Sequence, residues 1–221
     1  MSDSPVLFGY FRSSCSWRVR IALALKEVAV EDVAVHLVKD GGQQHQHAHR
    51  ERNPMGQVPV LAVDDHMLSQ SMAILLYLDE RFPEPALLPS DRLERAKCIQ
   101  FSEMVNAGIQ PLQNLAVMQH LQQKYSWTKA QALEWSAHWI DLGLKALEAS
   151  ALTMSGDFCI GNQVTIADCC LYPQLYNARR FGLDMENYPT LHGIEHRLAA
   201  HPAFISTHPS RQPDTPPELR A

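Results

Sequence analysis

A chain of 221 residues that is 46% hydrophobic and 19% charged is too apolar to stay disordered and long enough for one large core or two small ones. Its 19 Lys+Arg against 24 Asp+Glu leave a formal net charge of −5, without the basic field that nucleic acid or an anionic membrane surface selects. No apolar run approaches the ~18 residues of a membrane span; Met1-Ser2-Asp3-Ser4-Pro5 lacks the basic and apolar regions of a secretory signal; and five cysteines, with Cys169 and Cys170 adjacent, make no disulfide framework, so a reducing, cytoplasmic setting is expected.

The first 80 or so positions alternate strand-like and helix-like patterns, as α/β units do. Val6-Leu7-Phe8-Gly9-Tyr10 suits a buried strand. Residues 16–26 read as a helix apolar over most of its circumference, through Trp17, Val19, Ile21, Ala22, Leu23 and Leu25. Val33, Val35 and Leu37 alternate as a second strand, which suggests a right-handed βαβ unit. Lys39-Asp40-Gly41-Gly42 marks a turn, and a polar, histidine-rich, loosely packed helix is expected after it. Asn53-Pro54-Met55-Gly56-Gln57 reads as a loop and 58–63 as a strand, with Asp64-Asp65 turning into Met67-Leu68-Ser69. Residues 71–82 form an amphipathic helix with Ile74, Leu75 and Leu78 inward. Pro83, Pro85 and Pro89 then mark a stiff linker. Beyond it helices are expected over 92–122, 129–149, 166–181 and 191–199, followed by a proline-rich tail that wraps the surface. The expected organisation is an α/β domain over 1–83 and an all-α domain over 90–221.

That order, with several motifs, resembles the zeta-class glutathione transferases along nearly the whole chain. The motifs are Ser13-Ser14-Cys15-Ser16-Trp17-Arg18-Val19-Arg20, Lys39-Asp40-Gly41-Gly42-Gln43-Gln44, Asn53-Pro54-Met55-Gly56-Gln57-Val58-Pro59, Gln110-Pro111-Leu112-Gln113-Asn114-Leu115 and Arg211-Gln212-Pro213-Asp214-Thr215-Pro216. The resemblance implies a thioredoxin-like N-terminal domain that binds glutathione, an all-helical C-terminal domain that binds substrate, and a homodimer. It implies a glutathione-dependent cis–trans isomerisation of maleylacetoacetate to fumarylacetoacetate in tyrosine and phenylalanine breakdown. The thiolate would add to the cis double bond, the resulting single bond would rotate, and elimination would release the trans product. Rivals within the fold are a maleylpyruvate isomerase and a transferase or dehalogenase acting on α-halo acids. A non-catalytic interaction module would be expected to lose the Ser13-Ser14-Cys15, Val58-Pro59 or Gln70-Ser71 motifs, and all three stand here.

By the same resemblance, Ser13 takes the place of the serine that donates to the thiolate, with Ser14 and Cys15 lining the same pocket. The physics is adequate: a thiol of pKa ~8.5 lowered by about two units needs roughly 2.7 kcal/mol of preference for the thiolate. A hydrogen bond to a charged group supplies roughly 1.5–3 kcal/mol, and a helix N-terminus adds roughly 0.3–1 kcal/mol. The plain alternative is that Ser13 and Ser14 only cap the helix. Cys15 at a helix start has a tuning or supporting role, against nucleophile or inert packing; Arg18 stands where a Cys-x-x-Cys pair needs its second thiol.

Val58-Pro59 matches the family's cis-proline, presenting the Val58 backbone to the cysteinyl part of glutathione, against an ordinary trans-proline at a strand edge. Gln70 and Ser71 open a helix suited to the γ-glutamyl carboxylate, or else form a simple cap. Gln44 resembles the residue reaching the glycine end, or else is a solvated amide. Gln110, Asn114, Leu115 and Ala116 match positions where the helical domain meets the ligand. Arg12 and Arg180 suit the carboxylates of a dicarboxylate substrate, with Arg179 a competing assignment.

Two motifs read as non-catalytic. Thr165-Ile166-Ala167-Asp168 is a capping box with Asp in place of Glu, where Thr165→Ala should cost about 1 kcal/mol. His45-x-His47-x-His49 lacks the cysteine or acidic pair that would complete a metal site, and i, i+2 side chains diverge on a helix, so a solvated segment and no metal are expected.

Overall fold

The computed structural model describes residues 4–220; Met1-Ser2-Asp3, the start of the segment read for a signal, and Ala221 of the tail lie outside the described residues. Two compact units form, one from the residues up to Leu87 together with those from His201 onward, the other from Leu88–Ala200.

In the first unit β1 (Val6–Gly9), β2 (Glu31–Ala34), β3 (Val60–Val63) and β4 (His66–Ser69) make one sheet in the order β2-β1-β3-β4. β1 pairs parallel with β2 and antiparallel with β3, and β3 pairs antiparallel with β4. Helix α1 (Ser14–Leu25) is the crossover between the parallel strands, a thioredoxin-like βαβ start. Asp64 and Asp65 both take positive φ, 47° and 61°, as a two-residue turn matched to sheet twist requires. At Gly9 α1 comes close to β1: a Cβ there would lie 3.3 Å from the Ser16 side chain, which would have to give by a few tenths of an ångström.

α1 buries Trp17, Val19, Ile21, Ala22 and Leu23, as its apolar circumference requires. It also buries Arg18 and Arg20, which the apolar pattern does not foretell. α3 (Ser71–Arg81) packs beside it with Ile74, Leu75 and Leu78 fully inward. At the C-terminus of α1 the buried Lys26 ammonium meets Asp79 of α3 at 2.8 Å and also donates to the carbonyls of Phe82 and Pro85, both at 2.6 Å. Asp79 in turn accepts from the Leu87 N–H at 2.7 Å, so one ion pair anchors the proline-rich segment to the helix pair.

β2 falls earlier than the alternation of Val33, Val35 and Leu37 suggests. After Val35 donates to the Gly9 carbonyl, the His36 N–H goes to the Gln43 side chain and the His36 ring accepts from the N–H groups of Val38 and Lys39. These local bonds bend the chain away from the sheet. The histidine-rich segment is two 3-10 turns followed by α2 (His47–Arg52).

The second unit is helical: α4 (Arg92–Glu103), α5 (Leu115–Tyr125), α6 (Lys129–Met154), α7 (Ile166–Arg180) and α8 (Pro189–Ala199). The single helix expected over 92–122 is divided. A π-turn at Met104–Ile109 and a 3-10 turn at Gln110–Gln113 separate α4 from α5, because Pro111 has no N–H for the ladder and Asn114 starts a new helix by accepting from the Ala116 N–H. Gly143 of α6 is where the π-turn fits: a Cβ there would lie 2.2 Å from Ile109 Cγ1. No described helix is long and apolar enough to cross a membrane.

The tail departs from the expected 90–221 grouping. The chain from His201, including α9 (Pro202–Ser206), clusters with the first unit because its residues bond to α1: the Trp17 indole donates to Thr207 Oγ1 at 3.1 Å, and its ring meets His208 edge-on at 5.3 Å. A proline linker marks where the chain leaves a core, but says nothing of where it returns.

Candidate active site

The turn before α1 is built by its own serines. Ser13 is the N-cap: its Oγ accepts from the Ser16 N–H at 3.2 Å, while Ser16 Oγ accepts from the Tyr10 N–H at 3.4 Å. A hydroxyl has one donor and two acceptor lone pairs, so capping consumes a lone pair of Ser13 and leaves its O–H to donate outward. The capping and thiolate-donating roles weighed for Ser13 are therefore compatible on one oxygen. The first-turn amides of Ser14 and Cys15 have no carbonyl within the helix and add positive potential at the same place. Ser14 is buried; Cys15 is partly exposed, whereas Cys98, Cys159, Cys169 and Cys170 are buried. Burial pushes the Cys159 and Cys169 thiols well up, which leaves them unreactive.

A second helix N-terminus is tied to the first by a buried cation. Arg18, with no exposed surface, donates from Nη1 to Ser71 Oγ at 3.1 Å, joining α1 to the first residue of α3. Gln70, just before it, holds φ 71° and ψ 112°, a conformation that costs a non-glycine residue energy and that persists at ligand clamps. Its side-chain amide reaches the Met55 sulfur at 3.5 Å.

The Val58-Pro59 peptide is cis, and the loop before it is held by two groups on one acceptor: His49 Nε2 and Asn53 Nδ2 both lie 2.9 Å from the Gln57 carbonyl. Gln44 is buried. Its Nε2 donates to the Leu37 carbonyl at 3.1 Å and its Oε1 has no hydrogen-bond partner among the described residues. A buried amide oxygen left open in this way fits an N–H supplied by a ligand. Arg12 is half-buried, its guanidinium 5.5 Å from the Phe11 ring centre.

The expected solvated histidine segment is corrected at one position. His49 is only 3% exposed, because the loop needs its ring at Gln57. His45 contacts Gln44 Nε2 at 3.2 Å and His47 lies 3.5 Å from Glu51, so the three rings turn to three different partners. No group of three or more metal-ligating side chains occurs among the described residues.

In the second unit, Gln110, Asn114, Leu115 and Ala116 lie on the contiguous stretch that starts α5, and Leu115 and Ala116 are exposed. Trp135 donates to the Leu112 carbonyl at 2.8 Å, and Gln113 donates to the fully buried Gln174 of α7, which accounts for two more residues of that motif by packing. At the end of α7, Arg179 is engaged by Glu195, while Arg180 is exposed and donates to the Asn177 side chain at 3.3 Å.

Residues 5–80 match the family described as glutathione S-transferase, N-terminal domain. Over 219 residues the chain is 48% identical to the maleylacetoacetate isomerase of Rattus norvegicus, covering 99% of each. The chain belongs to the zeta class of glutathione transferases. Two solved structures are similar in fold as well. One is the maleylacetoacetate isomerase of Anaeromyxobacter dehalogenans with glutathione bound in its active site, at 49% identity, TM-score 0.87, and coverage of 96% of this chain and 98% of that one. The other is the holo form of a bacterial zeta-class maleyl pyruvate isomerase, at 35% identity, TM-score 0.92, and coverage of 96% and 100%. Sequence reasoning about this zeta-class chain missed Arg18 and Asn53 as builders of the site. A charged residue inside a helix buried all round is the signal that could have found the first.

Proposed function

We infer that this chain is a glutathione-dependent isomerase that converts maleylacetoacetate to fumarylacetoacetate. The observation that carries this is near-full-length similarity to named maleylacetoacetate isomerases, 48% identity over 99% of both chains in one case. The residues present fit glutathione: two linked helix N-termini, an open buried acceptor on Gln44, and the cis Val58-Pro59 bend. Bound there, glutathione supplies a thiolate that adds reversibly to the double bond.

The chain's own residues do the rest. Ser13 donates its O–H to the sulfur while the α1 amides add positive potential, and Ser14 and Cys15 line the pocket. Ser71, backed by the Arg18 cation, takes the γ-glutamyl carboxylate with Gln70 beside it. The Val58 backbone pairs with the cysteinyl unit, and Gln44 accepts an N–H toward the glycine end. Gln110, Asn114, Leu115 and Ala116 are assigned to the ligand on the class resemblance. Arg12 and Arg180 take substrate carboxylates. The same class resemblance supports a homodimer, and five free cysteines support a cytoplasmic setting.

The test is conversion of maleylacetoacetate with and without glutathione, beside maleylpyruvate and an α-halo acid. Ser13→Ala is expected to lower turnover about 10–150-fold, the loss of roughly 1.5–3 kcal/mol from one charged hydrogen bond. Glutathione-independent turnover would refute the mechanism. A zeta-class maleyl pyruvate isomerase shares the fold at TM-score 0.92 and 35% identity, so maleylpyruvate is the second reading, and faster turnover of that acid would select it.

A further inference from the structure

The C-terminal strap reaches the catalytic turn with one carboxylate. Asp214 Oδ2 accepts from the Phe11 N–H at 2.9 Å, two residues before Ser13 and on a residue only 3% exposed. The opposite side of the same peptide units is held by Arg20 of α1, whose guanidinium donates to the Phe11 carbonyl at 2.8 Å and to the Tyr10 carbonyl at 3.3 Å. Tyr10 in turn accepts from the Ser13 N–H at 3.0 Å, so the clamp is one hydrogen bond from the N-cap serine. The charges match: burial pushes Arg20 down to about 10, and Asp32 and Asp214 pull it back toward the cation.

The strap is built to deliver that carboxylate. Gln212 donates to the carbonyls of Ser206 and His208 at 3.3 and 3.1 Å, the buried Thr215 donates to the Pro209 carbonyl, and Arg220 donates to the carbonyls of Thr215 and Pro213 at 3.0 and 3.1 Å. Trp17 of α1 is fastened to the same strap through Thr207 and His208. Such a web rigidly places Asp214, whose neighbours on both sides in sequence are held.

We propose that Asp214 is a positioning residue for the isomerase reaction: clamped against Arg20, it fixes the Tyr10–Ser13 turn so that the Ser13 hydroxyl is aimed at the glutathione sulfur. This rests on the functional reading above. Removing the acceptor leaves a buried N–H unpaired and the turn free to shift, and misaiming a catalytic hydrogen bond costs rate rather than affinity.

The experiment compares Asp214→Ala and Asp214→Asn in the full chain, reading the ultraviolet absorbance of enzyme-bound glutathione thiolate against pH, kcat and glutathione KM. Asp214→Ala is expected to lower the thiolate fraction and kcat at neutral pH by about tenfold, with glutathione KM moving less than about threefold. Asp214→Asn, which keeps an oxygen for the Phe11 N–H, is expected to stay within about threefold of the parent protein. A merely structural role would lower thermal stability and leave the thiolate titration in place. Should Asp214→Ala not fold, Arg220→Ala loosens the strap from its exposed edge and is expected to lower the thiolate fraction about threefold. An unchanged thiolate fraction in the folded variant, or Asn falling as far as Ala, overturns the proposal. A parent protein that binds no glutathione overturns the functional reading, and the proposal with it.

Discussion

Donors from Thr165 and Cys159 converge on the buried carboxylate of Asp168. Oδ2 accepts the Thr165 N–H at 2.8 Å and the Thr165 hydroxyl at 3.0 Å, and Oδ1 accepts the Cys159 N–H at 2.9 Å. Burial pushes its pKa up and these bonds draw it back, so the side chain serves the start of α7 and the loop before it together. The capping motif was legible in sequence; the contact with Cys159, nine positions earlier, was not, because that loop has no periodic signature. Asp168→Ala should therefore cost more than the about 1 kcal/mol expected for Thr165→Ala: about 3 kcal/mol or more, since it strands several buried donors at roughly 1–3 kcal/mol each. Urea unfolding of the two variants checks the order. Ser13 teaches a similar lesson in the opposite direction. Its place in the turn was readable, yet only the structure shows that its oxygen accepts from Ser16 and so keeps its O–H for another partner.

Elements are held by a few buried polar junctions as much as by apolar faces. The apolar run from Val6 to Gly9 was readable as a buried strand because it is short and ends at glycine, and the inward stripe of α3 because its period is helical. The division of α4 from α5 was not, since the apolar pattern continues through Pro111 and the chain must choose locally between ladder and turn. Nor did the pattern foretell the Lys26–Asp79 pair, which joins α1, α3 and the segment to Leu87. Asp79→Ala leaves a buried ammonium without its counterion, and should destabilise the first unit by about 3–5 kcal/mol. Thermal unfolding is the check: a loss below about 1 kcal/mol would mean that the carbonyls of Phe82 and Pro85 suffice for the charge.

At the scale of the whole molecule, the clearest sensitivity to pH lies in one of the two units. In the second, Asp141 of α6 accepts from Lys145 on its own helix and from the Tyr188 hydroxyl before α8. Its modest burial acts to raise the pKa, but these two bonds prevail and hold it below the usual carboxylate range; the same contact, after burial, pushes the Tyr188 phenol up. A depressed carboxylate adds stability above its unfolded pKa of about 3.9 and loses it as pH falls through the lower folded value. Asp141→Asn should lower the urea midpoint at neutral pH, and the gap from the parent protein should close below about pH 4. A gap that persists there would show packing rather than charge at work. The effect should be modest, because the side chain is 39% exposed.

Sequence by itself determined the α/β start, the helical remainder and the motif-bearing turns, since each depends on residues within a few positions of one another. Tertiary structure alone decided which distant groups those turns meet. Arg18 is set on Ser71, His49 is drawn inward to Gln57, and the tail returns to α1 with Asp214 on Phe11. The physical reason is range: local propensity and periodicity act over one or two turns of chain. Buried polar groups must instead find partners wherever folding brings them, and the bond from Phe11 to Asp214 spans 203 positions.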